Sequence, residues 1–178
     1  MTGLRITELC ADLSTFVEGR LLDDDGNVLL RFDNGAKGAL IASQISAGEE
    51  NALRICIYGE NAGMEWAQED PNNLVIKPLD QPRYIYRTGN NYEAPFAMDA
   101  VASHNTRLPS GHPEGMLEAF ANIYRNFALT IQARLENREA TALEQDFPTV
   151  EDGVRGMAFI ETVVTSSGSD AKWTKHLS

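Results

Sequence analysis

The chain has 178 residues, with 26 acidic against 15 basic side chains and a net charge of −11. A chain of this length can bury about 70% of the surface its unfolded form exposes, enough for one self-sufficient core, and so much negative charge repels phosphate backbones and anionic lipid. Cys10 and Cys56 are the two cysteines, neither at metal-ligand spacing from another ligand type, and no apolar run reaches membrane length or follows the plan of a secretion signal. The expectation is a soluble, cytoplasmic protein with reduced thiols, no resident metal and neither nucleic acid nor membrane as a partner.

The first ninety residues read in period two. "ELCADLSTFV" runs into the turn "DDDG", and "NVLLRFD" then places Val28, Leu30 and Phe32 on one face. Asn34-Gly35 follows, a dipeptide that tolerates the positive φ angles of a tight hairpin turn, and "AKGALIASQIS" is the return strand. "NALRICIYG", "MEWAQE", "NLVIKPL" and "RYIYRT" complete a set of about seven strands joined mostly by short turns. Residues 89–111 lack periodicity and read as a long loop, the kind of segment that carries function.

Helices close the chain. Leu117, Phe120, Tyr124, Phe127 and Ile131 form one apolar stripe over about 113–136. The string "TVED" offers a capping box between Thr149 and Asp152, opening a second helix with the stripe Val150, Val154, Met157, Ile160 and Val164 and a stop at Gly168. Strands first and helices last predict a single α+β domain over 1–178: a large, mostly antiparallel open sheet of about seven strands with two C-terminal helices packed on one face. The strand "AKGALIASQIS" is apolar on both sides, with Leu40 and Ala42 on one and Ala39, Ile41 and Ile45 on the other. A sheet apolar on both faces needs cover on both, so a homo-oligomer formed through the sheet face is expected, alongside cover from protein outside this sequence.

Recognisable chemistry is sparse. Neither G-x-G-x-x-G nor a Walker pattern occurs, so no phosphate cradle is evident. "DDDGN" begins like a calcium loop, but its glycine falls two positions early and no glutamate stands at the twelfth place, which makes it a solvated turn. Trp66 reads as core or interface, and His104 and His176 as surface histidines. His112, in "RLPSGHPEGMLEAF", leaves two readings open. Pro113 suits a first helical turn and Glu114 suits its positive end, so the string can be no more than a helix start. Alternatively His112, held at the close of a long loop with Arg107 beside it, presents an imidazole to a polar ligand.

Four strings, "LRFDNGAKGALIASQ", "LRICIYGENAGMEWAQEDPNNL", "SGHPEGMLEAFANIYRNF" and "FPTVEDGVRGMAFIETVVTSS", together with the order of elements, resemble the C-terminal domain of the glucose-fructose oxidoreductase / inositol dehydrogenase / MocA (Gfo/Idh/MocA) family. The resemblance runs over about residues 3–174. It implies an NAD(P)-dependent sugar or polyol dehydrogenase whose N-terminal Rossmann domain carries the glycine-rich nucleotide loop and the catalytic lysine. No position here matches those elements or the family's proton-transfer histidine, so the resemblance implies that NAD or NADP is bound by a domain absent from this sequence, that no catalytic residue lies in it, and that the chain alone is inactive. It places the active site between the two domains. Asn51, with Glu50, and His112, with Arg107, would then face substrate hydroxyls, and His112 would orient substrate rather than abstract a proton. The competing expectation is a free-standing dimerisation or binding module with the same fold and no chemistry.

Overall fold

A computed structural model describes residues 2–176. In chain order the elements are β1 (Ile6–Ser14), β2 (Asp25–Phe32), β3 (Lys37–Ser43), β4 (Arg54–Tyr58), β5 (Ala62–Ala67), β6 (Asn73–Pro78), β7 (Tyr84–Arg87), α1 (Ala100–Asn105), α2 (Met116–Leu135), α3 (Val150–Ser167) and β8 (Thr174–Lys175). The class is α+β, and every strand pairing is antiparallel. The strands distribute over two four-stranded sheets, β3-β2-β1-β8 and β4-β5-β6-β7, where the sequence suggested one of about seven strands. Two short elements escaped the sequence reading: α1, inside the expected loop, and the two-residue β8. The chain groups into two compact units, one of residues up to Glu49 and from Pro148 onward, the other Glu50–Phe147.

In the first unit β1 supplies the centre. Its register sets Leu9 opposite Leu30 and Ala11 opposite Val28, which gathers the apolar side chains of alternate positions on one face. Leu9, Val28 and Val163 of α3 form the buried core, with Ala11, Leu13, Leu30 and Phe159 packed against it. α3 also finishes the sheet edge. β8 pairs only with Glu8 and Leu9, and beyond its end the amides of Ala11 and Leu13 donate to the hydroxyls of Ser166 (3.1 Å) and Ser167 (2.9 Å). Backbone donors left bare by a short edge strand are thereby satisfied by side chains. The opposite face carries Leu29 and Ile41, which stay 54% and 75% exposed.

The β2–β3 hairpin forms where expected. Only Gly35 uses a positive φ, at 86°, while Asn34 does not, so the turn draws on the freedom of glycine rather than of both residues. The capping box of α3 is also as read: Thr149 Oγ1 accepts from the Asp152 amide, and Asp152 Oδ2 accepts from the Thr149 amide at 2.7 Å. His176, expected at the surface, is 8% exposed, its Nδ1 lying 3.0 Å from Thr162 Oγ1.

In the second unit the register of β4 to β7 puts Ile55, Ile57, Met64, Trp66, Leu74, Ile76, Tyr84 and Tyr86 on one face. Tyr84 and Tyr86 meet Phe96 and Tyr92 edge-to-face. The opposite face is mixed, with Glu65 paired to Lys77 and Arg54 beside Val75 and Ile85. α2 is held by polar contacts to α1 and to the segment that follows the helix: Asn122 donates to the Asn105 carbonyl (2.8 Å), and Thr130 to the Glu144 carbonyl (2.8 Å). Phe127 meets Phe147 edge-to-face. The periodic stripes of α2 and α3 are real, yet Leu117, Tyr124, Val150 and Val154 along them remain exposed, while α2 buries Asn126 and Ala133 instead. Among the described residues no helix is long and apolar enough to cross a membrane.

Candidate functional site

The most organised irregular segment is the loop from Arg107 to Gly115, and it is fixed at both ends and from below. Glu114 turns its carboxylate back over the loop, accepting from the Arg107 amide (3.0 and 3.1 Å) and the Leu108 amide (3.3 Å). Its own backbone N–H donates to Asn72 Oδ1 (3.0 Å), and its carbonyl accepts from Asn72 Nδ2 (2.9 Å). Beneath the middle of the loop Ser110 donates to the Gly89 carbonyl at 3.1 Å. Gly89, at φ 75°, permits that approach, because a Cβ there would fall 2.6 Å from the Leu108 carbonyl oxygen and from the Ser110 nitrogen.

His112 lies at the crest of this loop, between Gly111 at φ 83° and Pro113. Its amide closes a turn onto the Pro109 carbonyl (3.1 Å), its side chain is exposed, and among the described residues the imidazole makes no hydrogen bond. The helix begins later than the sequence suggested. α2 starts at Met116 with Gly115 as its N-cap, so Pro113 and Glu114 precede it rather than forming its first turn. Glu118 does the work expected of Glu114: its Oε2 accepts from the Gly115 amide at 2.8 Å, and that bond holds its carboxyl below the ordinary range.

The loop therefore brings Arg107 and His112 together with Glu114 on one clamped segment. Glu50 and Asn51 stand elsewhere in the chain, at the turn leading into β4. Asn51 takes φ 67° and Ala52 φ 42°, the Ala52 amide donates to the Glu50 carbonyl (2.9 Å), and both Glu50 and Asn51 are exposed. No hydrogen bond among the described residues joins that turn to the His112 loop. A recess of about 260 Å³ opens beside the loop, lined by Trp66, Asn72, Thr88, Glu114, Glu118 and Asn122. Trp66 also borders a second recess of about 450 Å³ with Leu74, Tyr86 and Met98. Its indole N–H is spent on the Pro71 carbonyl (3.0 Å), which fixes the ring between the two.

An unpaired imidazole and a guanidinium on a rigid loop can donate to, or accept from, the hydroxyls or carbonyl of a neutral polar ligand. Asn72 and Gly89 went unnoticed in the sequence because each acts through a backbone partner that only the fold brings near, whereas Glu118, three residues after Gly115, was missed because the helix start was placed at Pro113. His104, read as a surface residue, is half-buried, with Nε2 2.9 Å from Oδ1 of the buried Asn126. Asn126 Nδ2 is given to Asp146 and Asn105, so the bond to its Oδ1 requires the proton on His104 Nε2. Arg125 then donates to the His104 carbonyl at 3.1 Å rather than to the ring.

Residues 1–65 match the GFO/IDH/MocA C-terminal domain. Over 176 residues the chain is 34% identical to the uncharacterized oxidoreductase YfiI of Bacillus subtilis (strain 168), covering 98% of this chain and 44% of that protein. Among solved structures, an oxidoreductase from Sinorhizobium meliloti is 42% identical with a TM-score of 0.88, covering 97% of this chain and 47% of its own. An inositol dehydrogenase homolog from Azotobacter vinelandii, solved with NADH and myo-inositol, is 30% identical with a TM-score of 0.85, covering 97% of this chain and 45% of its own. The chain spans about half the length of these relatives.

Proposed function

The chain is a C-terminal domain of the Gfo/Idh/MocA family, and from that premise we propose that it forms the substrate-side half of an NAD(P)-dependent oxidoreductase acting on a sugar or polyol. The relative solved with NADH and myo-inositol supports the cofactor and substrate class. The nicotinamide, when bound by the other half of such an enzyme, supplies the hydride acceptor or donor. This chain's part is to bind and orient. The observation that carries the reading is the Arg107–Gly115 loop, clamped by Asn72 and Gly89 while His112 at its crest keeps an exposed imidazole that makes no hydrogen bond among the described residues. Rigid presentation of an unspent polar group suits a substrate hydroxyl, because little ordering entropy remains to be lost on binding.

The test is His112→Asn in the two-domain enzyme. Loss of one well-placed polar contact lowers kcat/KM by about tenfold, with unfolding unchanged. Unchanged kcat/KM removes His112 from the site and moves attention to Asn51. Equal losses of activity and stability return it to a purely structural role. The isolated chain is expected to turn over no polyol with NAD or NADP, and turnover by it refutes the division of labour.

The face of the first sheet that carries Leu29, Ala39 and Ile41 is the surface we propose for self-association, since α3 packs on the other face. Ile41→Lys should then convert an oligomer to monomer. A monomeric unmodified protein across a wide concentration range, measured by ultracentrifugation, sinks this part.

A further inference from the structure

Asn72 lies 42 positions before Glu114 in sequence, yet it meets both backbone groups of that residue. Its amide behaves as a strand partner would: Oδ1 accepts from the Glu114 N–H, and Nδ2 donates to the Glu114 carbonyl. The Glu114 N–H and carbonyl settle which way the amide points, and the Thr88 hydroxyl then donates to the same Oδ1 at 2.9 Å. A flipped amide would set donor against donor and acceptor against acceptor on Glu114. From Asn72, then, we infer that this side chain is a positioning residue for His112, an inference that rests on the substrate-side reading of His112 given above.

The geometry leaves His112 little other support. The Glu114 carboxylate ties the loop's far end at Arg107 and Leu108, so Asn72 and Glu114 act in series. At Gly111 and Gly115, on either side of the His112–Glu114 string, an added Cβ would meet nothing within 4 Å, so no close approach pins the backbone there. The other ties are Ser110 to the Gly89 carbonyl, the turn from the His112 amide to the Pro109 carbonyl, and the Gly115 amide to Glu118. Removing the Asn72 amide frees the backbone two residues from His112 without touching a strand pairing of β4 to β7, so the imidazole loses its direction while the sheet persists. Asn72 touches no substrate in this role; it acts through the loop.

The experiment combines Asn72→Ala, His112→Asn and the double variant in the two-domain enzyme, followed by amide hydrogen exchange and steady-state kinetics. Exchange at Arg107, Leu108 and Glu114 should quicken in Asn72→Ala while Val75 of β6 stays protected. Asn72→Ala should lower kcat/KM by roughly threefold to tenfold on the unmodified background and by nothing once His112 is Asn, since residues acting through one another are not additive. Should Asn72→Ala fail to fold, Gly89→Ala displaces the same loop from below and is read in the same way. Unchanged loop exchange overturns the inference, and so does an equal loss of kcat/KM on both backgrounds. Quickened exchange with His112→Asn itself harmless refutes the substrate-side reading and leaves the Asn72 anchor standing.

Discussion

Leu9 and Asn126 are the largest of the fully buried side chains, 0% and 1% exposed, and opposite physics encloses them. Leu9 sits in the first unit among Val28, Val163, Ala11 and Phe159, where contact is apolar and non-directional. Asn126 sits in the second unit with Oδ1 on His104 Nε2 at 2.9 Å and Nδ2 on the Asp146 carbonyl at 3.0 Å and on Asn105 Oδ1 at 3.4 Å. An apolar core accepts any side chain of similar shape, whereas a polar knot accepts one arrangement and penalises every other. The second kind of construction occurs in the unit that carries the His112 loop, where Asn72 applies the same device to Glu114. Directional bonds fix a loop's conformation in a way that grease does not.

The largest expected effect tests the apolar side. Leu9→Ala should cost about 2–5 kcal/mol in denaturant unfolding, the loss of a fully buried leucine plus the cavity it leaves. Leu9→Met should cost less than about 1.5 kcal/mol, because volume rather than direction is what the site requires. Equal losses for the two would mean that the core depends on shape in detail, and the contrast with Asn126 would weaken.

The next effect tests the polar side. Asn126→Leu keeps the branched outline of the side chain but strands the His104 ring nitrogen and the Asp146 carbonyl, at about 1–3 kcal/mol for each buried group left unpaired. Similar shape should therefore rescue nothing here, the reverse of the Leu9 pair. A neutral Asn126→Leu, measured by the same unfolding experiment, would show that the second unit is held by apolar contact after all.

What could be read in the sequence divides along the same line. The β2–β3 hairpin and the Thr149–Asp152 box were legible because their determinants lie within a few residues of one another. The helical stripes were legible as periodicity, but periodicity cannot say which side of a helix is covered, and it is Asn126 rather than Phe127 or Tyr124 that is enclosed. The burial of His104 and His176 depends on Asn126 and Thr162, partners 22 and 14 positions away. The start of α2 was read three residues early because Pro113 and Glu114 satisfy every local rule for a helix start. The decision is made by Asn72, which claims the Glu114 backbone for the loop. Within the candidate site, Arg107 and His112 were legible as neighbours, whereas the positive φ of Asn51 was not, since asparagine tolerates that region without advertising it.

The smallest effect sits at the surface of the second unit and is set by charge. Both carboxylate oxygens of Glu144 accept from Arg138 at 2.9 Å, and one of them also accepts from the Thr141 amide at 2.7 Å. The Arg138 bond first, and the Thr141 amide next, pull the Glu144 carboxyl from its ordinary 4.5 down to about 2, while Arg138 is pushed up by Glu144 first and Glu136 next. Because the folded value lies below the unfolded one, the contribution of this clamp is fully present above about pH 4.5 and is lost as pH falls through about 2. In the first unit Asp24 is lowered too, chiefly by the Phe16 amide, with Val17 and Arg20 adding to it. The two units should thus loosen independently in acid: Glu144→Gln should abolish the acid response of the Thr141 amide resonance and leave that of Phe16 in place. A Glu144 carboxyl that titrates near 4.5 by NMR would show the clamp open in solution, and the polar construction of the second unit would then stop at its buried knot.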